Sequence, residues 1–211
     1  MVGATLHFTF CLYHQKHTNR ELKYTDIHKE IVDACRQGDR AAQFKLYKLY
    51  SKAMYNICLR MLNNVSDAED VLQNSFIDVF TKLHHFRGES TIGAWIKRIT
   101  VNNCINFLKK RKLELVELGD KNHPMVNEPE FTFEEDLQNI ELIKKAIPQL
   151  PDGYRVVFSL YMLEGYDHVE IAEIMDINVS TSKSQLNRAK KKLKSIILSD
   201  LQNDMTNARP A

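Results

Sequence analysis

The amino-acid sequence predicts an all-α protein of two small helical domains joined by an acidic flexible linker. Its 211 residues include only seven glycines and five prolines, which leaves few turn residues for a β-sandwich. Apolar residues recur at helical spacing from Ile31 onward. Residues 114–136 break this periodicity with eight acidic residues against one lysine, a composition typical of a linker without fixed structure. Such a linker lets the two domains change their separation.

The composition is that of a soluble globular protein, with 44% hydrophobic residues, 27% charged residues and a formal net charge of +2. Four cysteines lie far apart without a C-x-x-C pair, so we expect reduced thiols and a cytoplasmic location. No apolar run approaches the ~20 residues that a membrane span needs, and we expect no membrane insertion. Residues 1–24 lack a secretion signal and are interpreted as a disordered arm, or as an extension from a misassigned start codon.

The first domain contains a helix with a polar outer face. Asn63 and Asn64 end a long apolar stripe, and Ser66 is predicted to cap the next helix, with Glu69 in the capping-box position. The apolar residues that follow keep the 3–4 spacing of a helix with one buried face. Its outer face carries acidic and amide side chains at Asp67, Glu69, Asp70, Gln73 and Asn74.

A basic helix follows the break at HHFRGEST, residues 84–91, in which a glycine marks a turn. This helix is predicted over about residues 91–112, a stretch without an acidic residue. A basic, asparagine-rich helix behind an Arg-Gly loop suits an unpaired nucleic-acid strand, with Lys97 and Arg98 on phosphates. Trp95 is either a stacking surface for a base or a core anchor, and spacing alone leaves both interpretations open.

The second domain contains a helix-turn-helix. VEIAEIM, residues 169–175, predicts a short first helix, DIN forms the corner, and a second helix is predicted from Val179 to Lys194. Residues 178–199 carry six basic side chains and no acid, which is the charge pattern of a recognition helix in the major groove. An ordinary helical hairpin with a solvated lysine face is the alternative. The side chains expected to reach base edges or phosphates are Ser180, Thr181, Lys183, Ser184, Asn187 and Arg188.

Two parts of the chain resemble one bacterial protein family. DAEDVLQNSFIDVF (67–80) and FRGESTIGAWIKRITVNNCINFLKKRK (86–112) closely resemble region 2 of RNA polymerase sigma factors of the sigma-70 family. The likeness is greatest to the extracytoplasmic-function (ECF) subgroup. LPDGYRVVFSLYMLEGYDHVEIAEIM (150–175) and the recognition helix resemble region 4 of the same subgroup. The two matches occur in the family's order and are separated by a linker.

The resemblance implies a sigma factor that binds core RNA polymerase, directs it to specific promoters and promotes strand opening. Such a protein has no catalysis and no cofactor of its own. The implied partners are the β′ clamp helices and β flap of the core polymerase, promoter DNA with its −35 and −10 elements, and an anti-sigma factor. The implied domains are region 2 over residues 25–112, the acidic linker over 113–136, region 4 over 137–200 and a C-terminal tail over 201–211.

The resemblance also assigns residues to each contact. The clamp helices would contact Asp67, Glu69, Asp70, Gln73 and Asn74, and the flap would lie near Phe158 and Tyr161. The −10 element would be bound by Arg87, Gly88, Glu89, Ser90, Thr91, Trp95, Lys97, Arg98 and Asn102. The −35 element would be bound as duplex by Ser180, Thr181, Lys183, Ser184, Gln185, Asn187 and Arg188.

Three residues depart from the family's pattern. Asp176 stands at the corner where glycine is common, and we expect modest backbone strain there. Ser182 stands where an apolar residue usually packs, so we expect the two helices to be less firmly locked together. Gln185 stands where many members have arginine, which changes the base preference or removes a phosphate contact.

Two other classes of function are weighed against this one. A free-standing helix-turn-helix transcriptional regulator explains the second domain but leaves residues 67–112 without a role. An enzyme is not indicated, because the sequence has no Gly-rich phosphate loop, no nucleophile motif and no His/Cys cluster with metal-ligand spacing. We therefore predict no catalytic residue and no metal site.

Overall fold

The computed structural model describes residues 28–116 and 140–207, and their side chains over 28–111 and 141–202. We call residues 28–116 the N-terminal unit and residues 140–207 the C-terminal unit. The N-terminal unit contains α1 (Lys29–Arg36), α2 (Arg40–Leu62), α3 (Val65–Lys82), a 3-10 turn (Leu83–His85) and α4 (Ile92–Val116). The C-terminal unit contains α5 (Ile140–Ala146), a 3-10 turn (Ile147–Gln149), α6 (Asp152–Phe158), a π-helical turn (Ser159–Leu163), α7 (His168–Met175) and α8 (Val179–Asn207). No strand forms in these two units, and the predicted all-α fold is confirmed.

Two consecutive asparagines separate α2 from α3. Asn63 ends α2 in a left-handed conformation with φ of 54°, and its N–H donates to the carbonyl oxygen of Leu59 at 2.9 Å. Asn64 caps α3, because its Oδ1 accepts from the N–H of Asp67 at 3.0 Å. The prediction that Ser66 caps this helix is wrong. Asparagine caps as well as serine and also tolerates left-handed backbone, so the pair ends one helix and starts the next without a spacer.

The core of the N-terminal unit lies among α2, α3 and α4. Leu46, Met61 and Val79 are fully buried, and each stabilises the unit by ~1.5–3 kcal/mol. The thiols of Cys58 and Cys104 are also buried and free, as the sequence predicts. A hydrogen bond with Cys58, together with burial, raises the pKa of Cys104 and keeps it protonated.

In the C-terminal unit, α7 and α8 form the predicted helix-turn-helix. Asp167 and Glu170 make a capping box at the start of α7, with the N–H of Glu170 donating to Oδ1 of Asp167 at 2.8 Å and the N–H of Asp167 donating to Oε2 of Glu170 at 2.9 Å. Asp176 takes left-handed backbone at the corner with φ of 59°, as expected. The predicted inner stripe of α8 is buried at Leu186, Ala189, Leu193 and Ile196.

Two helices extend beyond the boundaries drawn from the sequence. The α4 helix continues through Val116 into the predicted linker, and α8 continues through Asn207 into the predicted tail. Neither extension contains a glycine or proline. Residues 113–116 contain Leu and Glu, which are good helix formers, so nothing local stops α4 there. Residues 1–24 and most of the predicted linker lie outside the described residues.

The two units contact each other where α2 meets α6. Arg155 of α6 is only 3% exposed and donates through Nη2 to the carbonyl oxygen of Met61 at 3.3 Å. Nδ2 of Asn63 donates to the carbonyl oxygen of Pro148 at 2.9 Å. The chain thus brings the end of α2 against the start of the C-terminal unit.

Candidate nucleic-acid and polymerase interface

The 87–91 loop projects from the N-terminal unit. The side chains of Arg87 and Glu89 are 83% and 80% exposed, so their 4.0 Å ion pair contributes little to stability. Gly88 has φ of +76°, a backbone conformation in which any side chain would be strained. Thr91 caps α4, because its Oγ1 accepts from the N–H of Ala94 at 3.2 Å. The loop therefore places exposed polar side chains between two ends that are held in position.

Trp95 lies just inside α4 and is half-buried. Its ring packs on the buried ring of Phe86, with a centroid distance of 5.4 Å. Arg36 of α1 donates from Nη2 to the carbonyl oxygen of Phe86 and from Nε to that of Leu83 at 3.4 Å. Trp95 thus has a packed side and an exposed side. Arg36 was missed by the sequence reasoning, which had no signal linking α1 to this loop.

One asparagine of the basic helix α4 forms two side-chain hydrogen bonds with α3. Nδ2 of Asn103 donates to Oγ of Ser75 at 3.2 Å and to Oδ2 of Asp78 at 3.0 Å. The hydrogen bond from Asn103, followed by that from Lys82, holds the pKa of Asp78 below its ordinary value. On the outer surface of α4, Arg98 and Asn102 are exposed and Lys97 is half-buried.

The outer face of α3, which we call the docking face, presents the residues predicted to meet the polymerase. Glu69, Asp70, Gln73 and Asn74 are exposed. Asp67 is half-buried and accepts from Nη1 of Arg111 at 3.3 Å. A groove of about 480 Å³ separates this face from α4 and is lined by Asp70, Gln73, Asn74, Ile77, Phe107, Lys110 and Arg111.

Ile77 is an apolar residue of the docking face that the sequence reasoning missed. It is 63% exposed, although the helical pattern surrounds it with buried positions. An exposed isoleucine beside exposed carboxylates is typical of a binding surface with an apolar centre and a polar rim. The signal was available in the sequence, since Ile77 falls off the buried stripe that contains Phe76 and Val79.

Two of the predicted contact residues of the recognition helix are exposed and the others are half-buried. Ser180 and Lys183 are exposed, and Thr181, Ser184, Asn187 and Arg188 are half-buried. Oγ of Ser184 donates to the carbonyl oxygen of Thr181 at 3.0 Å, so this hydroxyl is engaged within the helix. Gln185 is half-buried, with its Oε1 enclosed and without a partner in the described part of the chain.

His168 and Ser182 join the two helices of the helix-turn-helix. Ser182 is fully buried, and its Oγ lies 2.9 Å from Nδ1 of His168. The imidazole stacks on Tyr161, with a centroid distance of 4.5 Å and an interplanar angle of 24°. A buried hydrogen bond thus takes the place of the apolar contact usual at this position, and the expectation that a serine here loosens the pair stays a prediction.

We expect His168 to make the stability of the folded chain depend on pH. Burial and the positive charges of Lys183 and Lys190 lower the pKa of His168 below 6.5, although Asp167 partly opposes them. The unfolded chain therefore binds more protons than the folded one just below that pH. We expect the stabilisation that His168 gives the folded state to be fully present above pH ~6.5. This stabilisation is lost as the pH falls below that value.

The measurement is the free energy of unfolding in urea between about pH 7.5 and about pH 5. His168→Asn keeps an amide near the position of Nδ1, but asparagine does not titrate. The free energy of unfolding of this variant should therefore fall less between these two pH values than that of the parent. Equal pH dependence of the two proteins would show that His168 does not carry the effect.

The described residues show neither a metal site nor a membrane span. Within them, no group of three or more His, Cys, Asp or Glu side chains is arranged to hold a metal ion. No helix of these parts combines the length and hydropathy needed to cross a membrane. The described residues form two helical units, one with a basic helix behind an exposed loop and the other with a helix-turn-helix.

Comparison with known proteins gives the family. Residues 46–114 match the family described as Sigma-70 region 2, and residues 140–193 match that described as Sigma-70, region 4. The chain is 30% identical over 176 residues to the ECF RNA polymerase sigma factor SigW of Bacillus subtilis, covering 79% of this chain and 94% of that protein. It is 30% identical over 172 residues to the ECF RNA polymerase sigma-E factor of Salmonella typhimurium, covering 76% and 88%.

A solved structure shows the same fold. The sigma factor RpoE of Bartonella quintana, solved in complex with the anti-sigma factor NepR, superposes with a TM-score of 0.50 at 22% identity, covering 74% of this chain and 96% of that one. The chain belongs to the ECF sigma factors of the sigma-70 family. Its function is that family's function, which is to direct RNA polymerase to promoters. Sigma factors are non-enzymatic regulators of transcription initiation.

Proposed function

We propose that this sigma factor uses three separate surfaces for its task. The docking face of α3 binds the clamp helices of core polymerase through Asp67, Glu69, Asp70, Gln73 and Asn74. The −10 element is captured by Arg87, Gly88, Glu89, Ser90, Thr91, Trp95, Lys97, Arg98 and Asn102. The −35 element is held as duplex by Ser180, Thr181, Lys183, Ser184, Gln185, Asn187 and Arg188, with the flap near Phe158 and Tyr161.

The observation that supports this most strongly is the separation of charge among the surfaces. The docking face carries exposed carboxylates, whereas α4 exposes Arg98 and Asn102 and the first turns of α8 expose Lys183. Opposite charges on adjoining helices suit a protein partner on one side and phosphates on the other. A regulator that only binds DNA would not need an acidic face, because carboxylates repel phosphates.

The geometry of the 87–91 loop supports a role in strand opening. A flipped base needs a pocket beside an exposed loop and a stacking surface, and Trp95 offers an aromatic side next to that loop. Unstacking one base costs a few kcal/mol, which contacts to the extruded base offset. The side chains of Arg87, Glu89 and Thr91 are exposed, so a DNA strand can reach them without rearrangement of the unit.

The test is run-off transcription with purified bacterial core polymerase, this protein and a pool of genomic promoter fragments. Transcripts that require both proteins are expected, and their aligned upstream sequences give the −35 and −10 preferences. The absence of dependent transcripts, together with specific duplex binding by the chain alone, would favour a free-standing regulator instead. We propose that the protein acts in the cytoplasm, where its polymerase is.

An anti-sigma factor is the remaining partner implied by the family resemblance. The Bartonella quintana sigma factor was solved with such a partner, and that likeness here extends to the fold alone. We propose that an anti-sigma factor of this chain covers the docking face, since an exposed isoleucine there offers an apolar contact. Co-purification of the chain from its own host, followed by competition with core polymerase, tests this.

A further inference from the structure

Two histidines, His84 and His85, lie side by side at the surface immediately before the 87–91 loop. Both are exposed, and both belong to the 3-10 turn Leu83–His85. Consecutive residues of such a turn are about 120° apart around its axis, yet here the two rings meet. Their centroids are 3.8 Å apart, with an interplanar angle of 44°. We call these two rings the histidine pair.

The backbone on both sides of the histidine pair is held in place. Leu83 and Phe86 flank the pair, and both side chains are buried. The N–H of Phe86 donates to the carbonyl oxygen of Leu83 at 3.2 Å. Arg36 of α1 donates to the carbonyl oxygens of both residues, and its own guanidinium is oriented by an ion pair with Asp33 at 3.0 Å. The segment is therefore anchored at each end, and the histidine pair is presented to solvent in a defined position.

A cation stands on each side of the histidine pair in the sequence. Lys82 precedes the pair and forms an ion pair with Asp78 at 2.9 Å. Arg87 follows the pair and is held only by the long, exposed contact with Glu89 described above. Its guanidinium is therefore available to a phosphate. Aromatic rings beside a cation that reaches phosphates are the combination with which proteins bind single-stranded nucleic acid.

The histidine pair and Trp95 adjoin the two ends of the 87–91 loop. Phe86 directly follows the pair, and its ring packs on that of Trp95 with a centroid distance of 5.4 Å. Trp95 itself lies in the first turn of α4, four residues after Thr91 at the end of the loop. One loop thus has an exposed aromatic surface at its start and a half-exposed one at its end. An unpaired strand that follows the loop passes both surfaces.

We propose that the histidine pair is a second base-binding site, on which a base of the unpaired promoter strand stacks near the base that meets Trp95. The proposal rests on the proposed capture of the −10 element by the 87–91 loop. Unstacked bases bind to histidine rings as they do to other aromatic rings. Such stacking accepts every base, because each base has a π face. The histidine pair therefore adds affinity for the open strand without adding a sequence preference.

The test removes both rings in the holoenzyme bound to a promoter obtained from the run-off assay. 2-Aminopurine is placed at one position after another across the −10 element of the unpaired strand, because its fluorescence is quenched when it stacks. At one position we expect low fluorescence with the parent and a severalfold higher signal with His84→Ala and His85→Ala combined. If no position responded to this double variant, the proposal would be overturned.

Phenylalanine separates stacking from hydrogen bonding and charge. His84→Phe with His85→Phe keeps two aromatic rings and removes the ring nitrogens, so the low fluorescence should return. A phenylalanine variant that behaves like the alanine variant would show that the nitrogens make the contact, and stacking would be wrong. Thr81→Ala changes an exposed residue at the end of α3 and is the matched control, which should behave like the parent. Circular dichroism establishes that each variant is folded.

Binding of the free chain to single-stranded DNA keeps this proposal separate from the proposed function. With a fluorescent oligonucleotide of mixed sequence, the alanine double variant should bind roughly tenfold more weakly than the parent. Run-off transcription by the parent reports on the proposed function alone. Absent transcripts together with the tenfold loss of DNA binding would count against the proposed function and support the stacking site. Dependent transcripts together with unchanged DNA binding and unchanged fluorescence would overturn the stacking site and support the proposed function.

Discussion

Binding of the holoenzyme to promoter DNA is expected to weaken by roughly 10³-fold or more between about 50 and about 200 mM salt. The surfaces proposed to meet DNA carry basic side chains on α4 and α8, and residues 178–199 include six of them without an acid. Each phosphate that a lysine or arginine neutralises releases counterions, so affinity falls linearly on a log–log plot against salt. Fluorescence anisotropy of a labelled promoter over a salt series measures the slope.

The polymerase also contacts DNA phosphates. A variant of this chain is therefore needed to measure the phosphate contacts that this chain makes. Lys183 is exposed in the first turns of the recognition helix. Lys183→Ala should reduce the magnitude of the slope by about one and weaken binding to different promoters by similar factors. Lys144→Ala, which removes an exposed lysine paired within α5, is the control and should leave the slope unchanged. If the affinity of the parent holoenzyme for DNA did not change with salt, phosphate contacts would not dominate the binding.

Replacing Glu69 and Asp70 together by lysine is expected to weaken binding to core polymerase by about 100-fold, since the proposed contact would then present the opposite charge to the partner. Both side chains are exposed on the docking face, so the fold should be affected by no more than about 0.5 kcal/mol. Competition with a reference sigma factor for core polymerase gives the affinity. Binding as tight as that of the parent would show that α3 does not dock through these carboxylates.

The control variant has the same change in net charge, made at two positions outside the docking face. Glu30 and Glu141 are exposed glutamates in α1 and α5, outside the docking face. Glu30→Lys with Glu141→Lys alters the net charge equally and should leave core binding nearly unchanged. Asp67 is better tested alone, because it also pairs with Arg111, and its loss would disturb the contact between the two units.

Periodicity and charge predicted most of the architecture, because both act locally along a helix. The buried stripe of α8, the left-handed corner at Asp176 and the exposed carboxylates of α3 all follow from residue type and spacing of 3.6 residues per turn. The cap of α3 was misplaced by two residues, since Asn64 and Ser66 are equally good caps and spacing does not choose between them.

Contacts between residues distant in the sequence required the folded chain. The hydrogen bonds from Arg36 to Phe86, from Asn103 to Asp78 and between His168 and Ser182 join residues that no short-range pattern pairs. Ser182 shows the difference most clearly. A serine at this point in the sequence suggested a weaker contact between α7 and α8. Because the imidazole of His168 lies at the start of α7, the Ser182 hydroxyl forms a buried hydrogen bond with it.

The sequence by itself determined the fold class, the family and the composition of each surface, because helix periodicity and charge are properties of neighbouring residues. Tertiary structure alone decided which of these surfaces are free. Lys97 belongs to a basic helix in the sequence, yet in the folded chain its ammonium lies against Glu164 and Tyr166, sixty-seven and sixty-nine residues away. Ion pairing across such a separation depends on how two units pack, and no local pattern in the chain encodes that packing.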